Sequence, residues 1–258
     1  MSTHTNTTLF FITASLILVV LGFFTEIGFW YYSVVGLSWF VMVLLGSTFI
    51  GSNYHISAYC RNPHTKNNEI AISFDDGPHR MTLPILDLLK EYNTKAIFFC
   101  IGKNIEAHPE ILQRIIADGH LVGNHSFNHS TVFDFYRKKQ IVEELDATDE
   151  AIQRVTGKKP RLFRPPYGVT TPSIRRALCV TGHKVIGWNI RSLDGMISNE
   201  SMILNRIITN ISPGSIILLH DTSLHTVRVL ERLLKALREK KYNVVSIETL
   251  LNIKAYED

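Results

Sequence analysis

No Lys or Arg occurs in the first 60 residues, and the only acid there is Glu26. A stretch of that kind cannot form the outer surface of a water-soluble fold, so it constrains the chain before any other feature. Residues 9–24 form one uncharged apolar run and residues 29–50 a second. A helix needs roughly 20 apolar residues, within a range of about 17–25, to cross a bilayer; the second run qualifies outright and the first when Thr8 and Thr25 are counted. Thr25-Glu26-Ile27-Gly28 lies between them with the single charge and a glycine, as a tight turn requires. Trp30, Tyr31 and Tyr32 follow, where amphipathic rings favour the membrane interface. The expectation is a two-helix transmembrane hairpin over residues 1–55, with helices at about 8–25 and 29–51 in contact with membrane lipid. A signal peptide would show a basic leading region and a small-residue cleavage site, and neither pattern is present. Both ends of a hairpin lie on one side of the membrane. The first cations after it, Arg61 and Lys66, are too few and too distant to fix that side, though they lean towards the cytoplasm.

Beyond a linker at 56–67, residues 68–258 have the mixed charge of a soluble domain. Over the whole chain Lys and Arg number 27 against 23 Asp and Glu, with no basic block, so nucleic acid is not an expected partner. The three cysteines, Cys60, Cys100 and Cys179, are far apart and form neither a disulfide framework nor a Cys-x-x-Cys motif. Short apolar segments at 70–74, 96–101, 121–124, 162–164, 185–190, 215–220 and 244–247 read as strands. Between them, 83–91, 109–118, 138–156, 173–181, 201–211 and 226–240 read as helices. In 138–156 the apolar spacing of Ile141, Leu145, Ile152 and Val155 is helical. Gly119, Gly157 and Gly182 stand where helix C-caps belong. Such alternation implies a parallel sheet. About seven strands predict an α/β fold, a distorted (β/α) barrel, with an open doubly wound sheet as the alternative.

Polar residues interrupt the strand ends repeatedly. The first strand runs into Asp75-Asp76-Gly77-Pro78, and adjacent carboxylates at a strand's C-terminal end sit on the usual active-site rim. Their mutual repulsion calls for a cation nearby. His125 and His129 follow the third strand, four apart, as on one face of a helical turn. With Asp76 they compose a two-His, one-carboxylate metal set with open positions, suited to hydrolytic zinc and equally to non-haem iron. Arg164-Pro165-Pro166-Tyr167-Gly168 ends the fourth strand, and its guanidinium is suited to holding a carboxylate. Trp188 and Asp194 bracket the fifth strand's end. His220 closes the sixth, placed to give a proton to a leaving group with a carboxylate supporting its charge. Four polar constellations at the same end of different strands are not independent accidents.

Over residues 68–250 the sequence resembles the polysaccharide deacetylase family, the NodB homology domain of carbohydrate esterase family four. Ser73-Phe74-Asp75-Asp76-Gly77-Pro78 resembles its first motif, with Ser where Thr is frequent; 125–129, 164–168 and 218–220 resemble its second, third and fifth. The resemblance implies that Asp75 is the general base acting on water at the metal. Asp76, His125 and His129 hold that metal, usually Zn2+, with Co2+, Ni2+ or Mn2+ as substitutes. Arg164 orients Asp75, the Tyr167 backbone N–H supports the oxyanion, and His220, tuned by Asp194, protonates the amine. Tyr167, Pro166 and Trp188 are expected to meet substrate. The fourth motif departs from the family: Gly195 follows Asp194 where many members have Trp, and Arg191 stands where many have an acid. The implied activity is metal-dependent removal of N-acetyl or other N-acyl groups from a glycan such as peptidoglycan, a chitin-like oligomer or an exopolysaccharide. The hairpin makes a lipid-linked amino sugar the alternative substrate. Family habit places the domain outside the cytoplasm. A non-haem iron oxygenase leaves Asp75, Arg164 and His220 unexplained, and a non-catalytic carbohydrate-binding module needs neither base nor acid.

Overall fold

The structure, a computed structural model, describes residues 4–65 and 67–257. Lys66, one of the two cations weighed for membrane sidedness, lies outside the described residues. Two helices open the chain, α1 (His4–Gly22) and α2 (Phe29–Thr48), joined by the expected turn. Both are long and apolar enough to cross a membrane. Most of their side chains are exposed and the rest half-buried; Thr7 and Gly46 alone are buried within them. The hairpin therefore stands clear of the rest of the protein except at its foot. There Ser47 C=O accepts from the Thr170 N–H at 2.9 Å, and Ile50 is buried in a cluster with Phe133, Phe163 and Val185.

The chain continues through β1 (Ala58–Tyr59), β2 (Glu69–Asp75), α3 (Thr82–Glu91), β3 (Ile97–Cys100), α4 (Gly102–Ala107), α5 (Pro109–Ala117) and β4 (Leu121–Asn124). Then come α6 (Lys138–Thr156), β5 (Leu162–Phe163), α7 (Pro172–Thr181), β6 (Lys184–Ile186) and β7 (Ile190–Arg191). The last elements are α8 (Glu200–Asn210), β8 (Ile216–His220), α9 (Leu224–Glu239), β9 (Asn243–Val244) and α10 (Ile247–Leu251). The strands form one parallel sheet in the order β1-β6-β5-β4-β3-β2-β8-β7, with β9 beside β2. The α/β fold is as expected, but the sheet curls without closing: β1 and β7 are its two ends.

Local chemistry explains where the elements depart from expectation. The run 185–190 does not continue as one strand. Gly187 lies against Cys60 and Ile50, with no room for a Cβ, and its N–H donates to the Tyr59 carbonyl. Asn189 then uses its side chain in place of a ladder, accepting from the Ile216 N–H at 2.8 Å and donating to Ser215 Oγ at 3.1 Å. The last expected strand, 244–247, keeps only Val244. Ser246 caps a helix instead, its side chain accepting from the Thr249 N–H. Residues 58–59, inside the expected linker, pair with β6, and Arg61 bridges to Ser215. Gly119, Gly157 and Gly182 do adopt the left-handed conformation of helix C-caps. The buried face of α6 carries Ile141, Leu145 and Ile152 as the spacing predicts, together with the polar Glu144 and Asp149.

Candidate active site

Strand register assembles the site. In a parallel pair the strand ends lie side by side, and here Asp75 is the direct partner of His220 across β2 and β8. Asp75 also pairs with Phe99, and Asn124 with both Cys100 and Phe163, so His125 and Arg164 begin at the same level one residue later. Five residues other than glycine on this rim have positive φ: Asp76, Ser126, His129, Tyr167 and Leu193, between 49° and 74°. Each costs about 1–3 kcal/mol and persists only where its surroundings hold it, a concentration typical of functional rims.

Those supports are visible. The Asp76 carbonyl accepts from Asn104 Nδ2 at 2.8 Å. His125 to His129 is a loop, not the expected helical turn. Ser126 N–H donates to Asn124 Oδ1 at 2.9 Å, and Ser126 Oγ accepts from the His129 N–H at 3.1 Å. Glu144 holds the loop from α6: its carboxylate accepts from the Phe127 and Asn128 N–H groups at 2.9 and 2.8 Å and from Asn128 Nδ2 at 2.7 Å. In the loop after β5, Gly168 has φ 72° and packs against the Trp188 ring, which leaves no space for a Cβ.

Asp76 Oδ1 lies 3.5 Å from His125 Nε2 and 3.4 Å from His129 Nε2, and one donor atom from each residue falls within 4.8 Å of the others. Two metal bonds of about 2.1 Å at a tetrahedral angle put donors about 3.4 Å apart, so the spacing of Asp76 from each imidazole fits a zinc-sized ion. His125 Nδ1 contacts the Arg164 carbonyl at 2.7 Å, which makes it the N–H and leaves the Nε2 lone pair for an ion. Burial raises the Asp76 pKa, but the hydrogen bond and charge of His125, then the charges of His129 and His220, outweigh it and bring the group down to about 2. Burial and the neighbouring His125 lower His129 to about 4. Both are therefore in ligand form at neutral pH. His125 goes the other way: burial lowers it, but Asp75 and Asp76 more than compensate. That proton supplies the positive charge the carboxylates lack, and a divalent ion competes for the same place.

Arg164 is fully buried, yet each part of its guanidinium is engaged. Nη1 donates to Asp75 Oδ1 at 2.7 Å and to Ser73 Oγ at 2.9 Å; Nε and Nη2 donate to the carbonyls of Ile186 and Gly187. The rings of Phe99 and Trp188 lie 4.2 and 5.4 Å from it. Ser73 Oγ passes the chain on by donating to the Ile217 carbonyl at 2.8 Å. Serine supplies the one hydroxyl this network needs. Held through Oδ1, Asp75 keeps Oδ2 towards His125 Nε2, 3.9 Å away.

On the other flank, His220 Nδ1 contacts Asp194 Oδ1 at 2.7 Å, and the His220 backbone N–H donates to Asp194 Oδ2 at 2.8 Å. Thr226 and Ser192 hydroxyls also donate to that carboxylate, each at 2.7 Å. Burial disfavours the imidazolium, but the Asp194 bond and charge, with Asp75 and Asp76 behind them, hold His220 up at about 9. Asp221 next to it is fully buried. Its Oδ2 accepts from the Thr82 hydroxyl, its Oδ1 has no partner among the described residues, and it lies against Gly77 where a Cβ would be. Burial pushes this carboxyl up to about 7, and Asp75 and Asp76 add to the rise.

A cleft of about 300 Å3 joins these groups, with Asp75, Asp76, His125, His129 and His220 on its walls. Tyr167 and Trp188 also line it, as expected; Pro166 is buried beneath and does not. Arg191, Gly195 and Met196 form the far lip. A Cβ at 195 would stand 3.8 Å from His220 Nδ1, so glycine leaves the cleft open beside that ring. Glu144, Asn104, Ser192 and Thr226 were not expected at the site. Of these, Glu144 alone had a sequence signal: an acid set among the apolar positions of an amphipathic helix.

A buried carboxylate fixed by a buried arginine, a set of three metal-ligating donors and a carboxylate-backed histidine, all around one cleft at the strand ends, define the site of a hydrolase. The chain belongs to the polysaccharide deacetylase family, which matches residues 62–186. It is 35% identical over 188 residues to a peptidoglycan-N-acetylglucosamine deacetylase of Bacillus cereus, covering 69% of this chain and 68% of that protein. With the peptidoglycan-N-acetylmuramic acid deacetylase PdaA of Bacillus subtilis it shares 31% identity over 195 residues, 73% of each chain. The chitin deacetylase of the fungal pathogen Colletotrichum lindemuthianum superposes with a TM-score of 0.73 at 26% identity, over 78% of this chain and 95% of that one.

Proposed function

We propose that the chain is a divalent-metal-dependent N-deacetylase of amino-sugar residues in a glycan of the peptidoglycan type, anchored in a membrane by α1 and α2. The observation that carries this is the pairing of Asp75 with His220 on adjacent strand ends, beside the Asp76, His125 and His129 donor set. Amide hydrolysis needs a base for water and an acid for the amine, and the two line one cleft.

Asp76, His125 and His129 would hold the ion, which would polarise the acyl carbonyl and make water more acidic. The donor set of one carboxylate and two imidazoles suits Zn2+, with Co2+, Ni2+ and Mn2+ as substitutes. Asp75, steadied by Arg164, takes a proton from water as its oxygen attacks the carbonyl carbon. The Tyr167 N–H supports the oxygen that becomes negative. His220, charged at neutral pH, gives its proton to the nitrogen as the C–N bond breaks, releasing acetate and a free amine. Trp188 and Tyr167 wall the acyl side, while Gly195 leaves space beside His220 for a bulky sugar.

Of the three relatives, two act, by their names, on different sugars of peptidoglycan and one on chitin, so family membership leaves the choice of sugar to this chain's own lip residues. One observation favours a second substrate, a lipid-linked amino sugar. The foot of the hairpin is bonded to Thr170, two residues past the Gly168 that lines the cleft. The test is metal analysis of the purified protein together with acetate release from N-acetylglucosamine oligomers and from a lipid-linked acceptor. Activity removed by a chelator and restored by Zn2+ is expected; undiminished turnover in metal-free protein would overturn the reading.

A further inference from the structure

The loop between His129 and α6 carries a surface that the proposed catalysis does not use. Phe133 is fully buried, yet Val132 and Phe135 beside it are 51% and 86% exposed. One turn of 3-10 helix, Phe133–Phe135, explains the contrast: the first ring anchors the turn in the core and the last is presented to solvent. Arg137, Lys138 and Lys139 come next after Tyr136, all exposed, and among the described residues only Lys139 of the three faces an acid, Glu143 at 3.7 Å. Asp134, the acid within the turn, is half-buried, and burial pushes its carboxyl up to about 6.

The position of this loop gives it meaning. Phe133 belongs to the same buried cluster as Ile50 at the foot of the hairpin. His129, at the loop's start, has its ring tilted against that of Tyr167 at 4.8 Å, and three residues beyond Tyr167 the Thr170 N–H binds the Ser47 carbonyl of α2. An exposed aromatic tip with cations behind it therefore stands beside two helices that present bare apolar side chains. Aromatic rings favour the headgroup region, and clustered Lys and Arg next to a span favour anionic lipid.

We propose that residues 130–139 dock the catalytic domain on the anionic surface of the bilayer that the hairpin spans, Phe135 entering the headgroup layer and Arg137, Lys138 and Lys139 meeting lipid phosphate. The proposal rests on α1 and α2 being membrane spans. Its consequence for the enzyme is orientation. Phe135 lies six residues from His129, so docking turns the cleft towards the membrane and favours amino sugars presented at the lipid surface over those in distant polymer.

The test uses the full chain carrying Cys179→Ser, to remove the exposed native thiol, and one added cysteine at Phe135, Leu16 or Lys240, labelled with bimane. Each protein is reconstituted into phosphatidylcholine vesicles with or without phosphatidylglycerol and quenched by nitroxide lipids. A headgroup nitroxide should quench the label at Phe135 several-fold more than that at Lys240, at the far end of α9. The excess should fall when phosphatidylglycerol is omitted, and when Arg137, Lys138 and Lys139 are all replaced by Glu. A mid-bilayer nitroxide should quench Leu16. Quenching at Leu16 with no excess at Phe135 overturns the docking while leaving the spans. No quenching at Leu16 overturns both. Shielding of Phe135 that depends on protein concentration and not on nitroxide lipid means that a second copy covers the loop, and also overturns it.

Discussion

Replacing Asp194 by Asn keeps the shape of the His220 support and removes its charge. His220 stands at about 9 because that carboxylate offsets the cost of burying an imidazolium. Without it, the ring falls to its ordinary value of about 6.5 or below. An acid that must be protonated loses activity as pH rises through its pKa, so the basic limb of the pH–rate profile moves down. At pH 8 a group with a pKa of 9 is about nine-tenths protonated and one at 6.5 about 3%, a loss of roughly thirtyfold in amide turnover. At pH 6 the same two values differ by less than about twofold. A bound divalent ion lowers the limb in both enzymes, so the quantity to measure is the displacement between them. Acetate release from an N-acetylglucosamine oligomer, followed from pH 5 to 10 in both proteins, gives it. A uniform loss with an unmoved basic limb would refute the reasoning and assign that limb to another group.

The remaining predictions concern the other parts of the site. His125→Ala should lose most bound metal, whereas Asp75→Asn should keep it and lose turnover by at least about a hundredfold; elemental analysis with single-substrate kinetics distinguishes them, and metal loss in Asp75→Asn would reverse the two roles. His220→Ala should abolish amide cleavage yet spare much of the hydrolysis of an activated ester, whose leaving group needs no proton; equal damage to both would make His220 structural. Glu144→Ala strands the Phe127 and Asn128 N–H groups, each bond to a charged acceptor being worth about 1.5–3 kcal/mol. It should weaken metal affinity by titration, since His129 loses its loop's anchor, and unchanged affinity would count against that link. Asp221 is raised, so the folded state holds its proton more tightly than the unfolded chain, and stability falls as pH rises from about 4 to about 7. Asp221→Asn should therefore raise the Tm at pH 8, by an amount equivalent to at most about 4 kcal/mol, and not at pH 4. A Tm change equal at both pH values would contradict this.

Which parts of the molecule could be read from the sequence follows from the range of the interactions involved. The rise of β2 into Asp75 and Asp76, the helix 138–156 and the glycine caps are local patterns, each written within about 20 residues, and they stand where periodicity puts them. The meeting of Asp75 with His220 was legible only as a shared strand end; its intimacy comes from a register between residues 145 positions apart, which no local pattern encodes. The break at Gly187 was hidden for the same reason, since the atoms that forbid a continuous strand belong to Ile50 and Cys60. Two histidines four apart suggested a helical turn, but the left-handed Ser126 and His129 are stabilised by Glu144 from α6, so tertiary contacts overrode a local preference. A distorted barrel was legible in the strand count and alternation, whereas whether its end strands meet depends on hydrogen bonding between distant segments.

The segment joining the hairpin to the domain has almost no slack. Ile50, Ser52, Tyr54 and His55 are all at least 94% buried, and the His4 N–H is tied to the Tyr54 carbonyl. A free linker of a dozen residues would let the domain sweep a radius of roughly 20 Å about its anchor. A buried foot allows no such sweep. If the hairpin spans a membrane, a domain of about 190 residues, whose radius of gyration is about 16 Å, keeps everything the cleft meets within one domain's width of the bilayer. For a hairpin seated in a membrane, encounter then depends on two-dimensional traffic. Substrate must drift or grow past the enzyme, and the density of copies in the plane, rather than the reach of any one of them, sets how much glycan is processed.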